Sequence, residues 1–176
     1  MKIFLIKIIL IIAVIISFQA CSSPEEPAIT SSVENEKPGA TSISQLPEMQ
    51  LTDMEGKTLS LNSFKGKKLF VNLWATWCPP CRAELPSIES LASKVGEDEN
   101  AFVLLSLDEN FDVAKKFAKD NNLTLPVYYP AQNLPPLFNV NGIPVTFIFD
   151  ENGKLLKQNN GAEDYDTQEY IDLLTK

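Results

Sequence analysis

The segment "KLFVNLWATWCPPCRAELP", residues 68–86, constrains the fold more than any other stretch of the chain. Residues 68–75 are short, apolar and rich in β-formers, which predicts a buried strand. It runs straight into Cys78-Pro79-Pro80-Cys81. From Pro79 to about Val95, Leu85, Ile88, Leu91, Ala92 and Val95 recur at helical spacing and form one apolar stripe. Proline is favoured at the first helical position, so the helix starts at Pro79 and Cys78 takes the N-cap. Pro86 lies inside that helix and should kink it. A buried strand feeding directly into an amphipathic helix calls for a sheet with helices packed on it.

The rest of the chain supplies those partners. "MQLTDMEGKTLSL" (49–61) alternates about a Glu-Gly turn and predicts a hairpin. "AFVLLSLD" (101–108) reads as a second buried strand. "DVAKKFAKDN" (112–121) reads as an amphipathic helix with Val113, Ala114, Phe117 and Ala118 inward. "PVYYP" (126–130) is a short extended piece and "LPPLFNV" (134–140) a short helix. "PVTFIFD" (144–150) is a strand, Asn152-Gly153 a turn, and "KLLKQNNG" (154–161) its hairpin partner. "DTQEYIDLLTK" (166–176) closes the chain as a helix with Asp166 as N-cap. The order β-β-β-α-β-α-β-β-α joins a parallel element to antiparallel hairpins, giving an α/β fold with a central mixed sheet and helices on its faces.

Three readings compete for the Cys78–Cys81 pair. A structural staple closing so short a loop contributes only about 2 kcal/mol, the weak end of the range. A structural metal site needs four ligands, and the chain has three cysteines and no histidine. A redox couple fits the placement. The helix N-terminus favours a Cys78 thiolate and lowers its pKa. Cys78 then attacks a partner disulfide, and Cys81, one turn in and on the same face, resolves the mixed disulfide. Neither Pro79 nor Pro80 has an N–H, so Cys81 supplies the first backbone donor able to reach the Cys78 sulfur. Arg82 adds positive charge nearby or is simply a solvated helix residue. The missing histidine also excludes Ser-His and Cys-His catalysis.

Outside this domain the composition changes. Lys2 and Lys7 precede an unbroken apolar run from Ile8 to Ile16, and small Ala20 precedes Cys21. Nine apolar residues suit a signal peptide and are too few to span a bilayer. The segment 1–20 resembles a bacterial lipoprotein signal, with Phe18 where such signals usually carry Leu. On that resemblance Cys21 is the lipidated first residue of the mature chain, and the domain is exported; an uncleaved N-terminal anchor is the competing reading. Residues 21–45 are rich in Ser, Glu and Pro and read as a flexible tether, leaving 46–176 as the folded domain. Without residues 1–20 the chain keeps 13 basic against 23 acidic residues, a net charge of -10. That balance, with no basic run beyond the leader, argues against nucleic acid.

"FVNLWATWCPPCRAELP" resembles the active-site segment of the TlpA/ResA-like thiol-disulfide oxidoreductases, the exported, membrane-tethered branch of the thioredoxin superfamily. The resemblance covers about residues 46–176. It implies a thioredoxin-like fold: a central mixed β-sheet flanked by helices, with an N-terminal β-hairpin and a central insertion. Pro86 matches the family's helix-kinking proline. "NGIPVTFIFD" matches the segment with the family's cis-proline, so Ile143–Pro144 should be cis and should present the Ile143 backbone to an extended substrate segment.

Two positions depart from relatives. Thioredoxins place a buried Asp six residues before the first cysteine, where this chain has Asn72, which cannot take the Cys81 proton. Some relatives place a Glu between the cysteines, where this chain has Pro79. Glu84 is the nearest candidate proton relay, although position alone favours a solvent-facing helix glutamate. Trp77 is expected to contact the partner, and Trp74 to pack against the sheet. The resemblance implies an envelope reductant of protein disulfides, apocytochrome c among them, fed by a transmembrane thiol-disulfide carrier. It implies no cofactor or metal. A redox-inactive binding module or a metal chaperone is the alternative. A peroxidase would need a Thr-x-x-Cys setting that no cysteine here has.

Overall fold

The computed structural model describes residues 44–176. The expected signal peptide, most of the expected tether and Cys21 lie outside the described residues. Seven strands form one sheet: β1 (Gln50–Thr52), β2 (Thr58–Ser60), β3 (Lys68–Trp74), β4 (Asn100–Ser106), β5 (Val127–Pro130), β6 (Val145–Phe149) and β7 (Leu155–Asn160). Their spatial order is β2-β1-β5-β4-β3-β6-β7. β3, β4 and β5 run parallel, while β1, β6 and β7 add antiparallel pairs. Three helices follow the sequence expectation in number: α1 (Pro79–Val95), α2 (Phe111–Asp120) and α3 (Gln168–Thr175). This is the thioredoxin-like α/β fold.

The two-residue period of β3 divides the core. Phe70 and Trp74 point to the face where α1, α2 and α3 bury Leu85, Ile88, Leu91, Ala114, Ala118, Tyr170 and Leu174. Leu69, Val71 and Leu73 point to the other face. That face is covered by Leu46, Met49, Leu61 and Phe138, the last two on short 3-10 turns at Leu61–Phe64 and Pro136–Phe138. Asn72 falls on the helical face, opposite Thr146 of β6. A buried amide on a central strand needs polar partners, and those partners are where the site is found.

Several local expectations are corrected. The piece "PVYYP" is a full strand, β5, because it is paired on both sides, by β1 and by β4. Val113 is 49% exposed rather than inward. The buried stripe of α2 is Ala114 and Ala118 with Phe117 beside them, and Val113 lies off its edge. Asp166 is not the N-cap of α3. That position is Thr167, and the Asp166 carboxylate accepts instead from Ser90 and Lys94 of α1. Ser44 and Gln45, assigned by composition to the tether, already pair with the β6–β7 turn.

Candidate active site

The site lies at the carboxyl end of β3, where α1 begins. Cys78 is the N-cap of α1 and its Sγ accepts from the Cys81 N–H at 3.3 Å. Pro79 and Pro80 are exposed and occupy the first helical positions, so this N–H is the first that the helix can offer the sulfur. Cys78 and Cys81 are joined as a disulfide. Cys78 is 4% exposed and Cys81 is 0% exposed, so the N-terminal sulfur is the one a partner can reach. The helix N-terminus and the Cys81 amide both favour negative charge on it once the bond is reduced.

Ile143 and Pro144 close the other side. Their peptide bond is cis. The Ile143 carbonyl lies 3.7 Å from Cys78 Sγ, and Pro144 leads into β6, paired with β3. Trp77, adjacent to Cys78, is 64% exposed. It flanks an open groove of about 410 Å³ with Leu107, Leu134, Val140 and Ile143. Trp74 is buried against Phe117, with ring centroids 5.4 Å apart. Arg82 is exposed and donates its backbone N–H to the Cys78 carbonyl.

Glu84 departs from the expectation of a solvent-facing residue. It is 3% exposed, one turn after Cys81. Its Oε1 accepts from Asn72 Nδ2 at 2.7 Å and its Oε2 from the Glu163 backbone N–H at 3.2 Å. Burial pushes the carboxyl up to about 7, against the lowering effect of those two hydrogen bonds. Asn72 Nδ2 also donates to Thr146 Oγ1 at 2.9 Å, which accepts in turn from the buried Tyr165 hydroxyl at 2.7 Å. Asn72 therefore cannot take a proton but holds a carboxyl that can. Sequence reasoning chose both residues. It could not see Thr146 and Tyr165, which topology brings from β6 and from the loop before α3.

It also missed Asp108. This residue lies two positions after β4 and is 5% exposed. Its carboxylate accepts from the Thr76 hydroxyl at 2.6 Å and from the Thr76 N–H at 3.2 Å, two residues before Cys78. Among the described residues no three His, Cys, Asp or Glu side chains are grouped to hold a metal ion. What the arrangement can do is exchange: one reachable sulfur, one fully buried sulfur behind it, a carboxyl near neutrality, and a backbone edge for an extended chain.

Comparison with known proteins agrees with this geometry. The family profile described as Redoxin matches residues 41–174. The thiol-disulfide oxidoreductase ResA of Bacillus thuringiensis subsp. konkukian (strain 97-27) is 32% identical over 133 residues, 74% of this chain and 77% of that protein. The thioredoxin-like protein YneN of Bacillus subtilis (strain 168) is 37% identical over 116 residues, 62% of this chain and 65% of that protein. Among solved structures, StoA from Bacillus subtilis superposes with a TM-score of 0.61 at 28% identity, covering 74% of this chain and 97% of StoA. A thiol:disulfide interchange protein from Chlorobium tepidum TLS gives 0.62 at 27% identity, covering 76% and 97%.

Proposed function

We propose, from the premise that this chain belongs to the Redoxin family and is a ResA-like thiol-disulfide oxidoreductase, that it is an exported, lipid-anchored reductant of protein disulfides. The observation that carries this reading is the pairing of a reachable Cys78 at a helix N-terminus with a fully buried Cys81 behind it. In the reduced protein the Cys78 thiolate attacks one sulfur of the substrate disulfide. A Cys78–substrate bond forms and the other substrate sulfur leaves as a thiolate. Cys81 loses its proton and attacks Cys78 Sγ. The second substrate thiol departs, and the chain is left with the Cys78–Cys81 disulfide. Two electrons pass to the substrate, and a dithiol donor must return them.

The other residues take supporting roles in this scheme. Trp77 covers the substrate, and the Ile143 backbone before Pro144 pairs with it strand-fashion. Pro79 and Pro80 hold the first turn of α1, and Asn72 holds Glu84, which receives the Cys81 proton. Cys21 carries the lipid that keeps the domain at a membrane facing the periplasm or cell exterior. The donor is a transmembrane thiol-disulfide carrier, and apocytochrome c is among the envelope substrates. Cys81→Ser tests the scheme, because it leaves the attack intact and removes the release. Expressed in the native envelope, this variant should accumulate protein partners bound through Cys78 and released by dithiothreitol, in a membrane fraction that Cys21→Ala loses. Recovery of no disulfide-linked partner, or of the same amount from Cys78→Ser/Cys81→Ser, contradicts it.

A further inference from the structure

We propose that Asp108 is a positioning residue that sets the groove beside Cys78 for a protein substrate; this rests on the reductant reading above. The carboxylate lies two residues beyond the end of β4, and none of its hydrogen bonds goes to an active-site sulfur. Four contacts reach it from two hydroxyls and one amide. Thr76 Oγ1 donates to Oδ1 at 2.6 Å, the Thr76 N–H reaches Oδ1 and Oδ2 at 3.2 Å each, and Ser106 Oγ donates to Oδ2 at 2.8 Å. It forms no ion pair among the described residues. Burying a carboxylate on neutral donors alone is costly, and an apolar residue at the strand end would avoid that cost. What the carboxylate gains in return is a grip on the segment before Cys78: it captures both the N–H and the hydroxyl of Thr76.

That grip acts on Trp77. The indole is mostly in solvent, so little packing fixes it, and its position follows from the backbone on either side. After Trp77, the Cys78 N–H bonds the Ala75 carbonyl at 3.1 Å. Before it, the Trp74 carbonyl accepts from the Leu107 N–H at 2.8 Å. Thr76, between these two ties, is held by Asp108 alone among the contacts described for its side chain. Leu107, the neighbour of Asp108, lines the same groove as Trp77. One carboxylate, bonded to the residue before Trp77 and carried by the residue after Leu107, thus ties together the two segments that bring these side chains to the groove and fixes their spacing. A substrate long enough to fill the groove senses that spacing, and a small disulfide that only meets Cys78 does not.

Thr76→Val removes the hydroxyl at constant shape, and Thr76→Ser keeps it. The reduced protein is assayed with insulin and with 2-hydroxyethyl disulfide, together with the potential of the Cys78–Cys81 couple. For Thr76→Val the insulin KM should rise roughly tenfold relative to that for the small disulfide, about the worth of one hydrogen bond to a charged group. Its insulin kcat should stay within about twofold, and its potential should not move. Thr76→Ser should restore the insulin KM, and Asp108→Ala should reproduce Thr76→Val; if Asp108→Ala does not fold, the threonine pair decides alone. Equal losses on both disulfides, an unchanged insulin KM, or a serine variant as impaired as valine each overturn the inference while wild type stays active on both. A wild type that reduces the small disulfide and leaves insulin untouched overturns the protein-disulfide reading and this inference with it.

Discussion

Cys78→Ser is expected to abolish disulfide reduction, with a loss of at least about a thousandfold to the uncatalysed background. The reason is chemical and positional. A serine hydroxyl is not ionised near neutrality and forms no stable bond to sulfur, so the first step has no substitute. Cys81 cannot take over, because it is fully buried one turn inside α1, behind Cys78. The variant should fold, since closing a four-residue loop contributes only about 2 kcal/mol to stability. Insulin reduction and the circular dichroism melt, measured on the same sample, separate the two effects. Retention of more than about a tenth of wild-type turnover by a folded variant would remove Cys78 from the nucleophile's role, since a lost nucleophile costs orders of magnitude.

Glu84→Gln has the second largest expected effect. Turnover should fall by roughly a hundredfold if the carboxyl receives the Cys81 proton, the usual size of a general-base contribution. The pH profile should change shape as well. Burial holds the Glu84 carboxyl near 7 from an ordinary 4.5, so wild type should show an inflection near 7 that the glutamine variant lacks. Stability gives an independent reading. Between about 4.5 and 7 the folded chain keeps a proton that the unfolded chain has released, so stability falls as pH rises through that window and levels off above it. The full shift corresponds to roughly 3 kcal/mol, and residual solvation brings the expected drop nearer to about 2 kcal/mol. Glutamine carries no such proton, so its urea midpoint should be flat over the same range. A glutamine variant that keeps both the rate and the inflection would place the proton elsewhere.

The placement of the cysteine pair was legible in the sequence because its determinants are local. A β-rich run, an N-cap cysteine, proline at the first helical position and a helical stripe all lie within residues 68–95, and each acts over one or two turns. Ile143 and Pro144 were legible only through family resemblance, since an X-Pro at a strand entry is usually an ordinary trans bond. Glu84 looked like a surface residue because its burial is made by other segments: Asn72 from β3, and the loop carrying Glu163 and Tyr165, 79 and 81 positions further on. Asp108 had a weaker signal still. Its partner Thr76 lies 32 residues upstream, and only the parallel register of β3 and β4 brings the two strand ends together. The misplaced Val113 and Asp166 have the same origin. Local periodicity and capping preference alone suggested an inward valine and an N-cap aspartate, but the stripe around Ala114 and the contacts with α1 decided otherwise.

The direction of electron flow is the claim on which the proposed role stands, and the reduction potential of the Cys78–Cys81 couple tests it most directly. Equilibration at pH 7 against graded glutathione or dithiothreitol buffers, with the two forms separated after thiol trapping, gives the value. A reductant of envelope disulfides should lie near thioredoxin, at about -270 mV, and so hold its electrons more weakly than the proteins it serves. A potential near about -120 mV, the region of strong periplasmic oxidants, would make the chain a donor of disulfides and contradict the account.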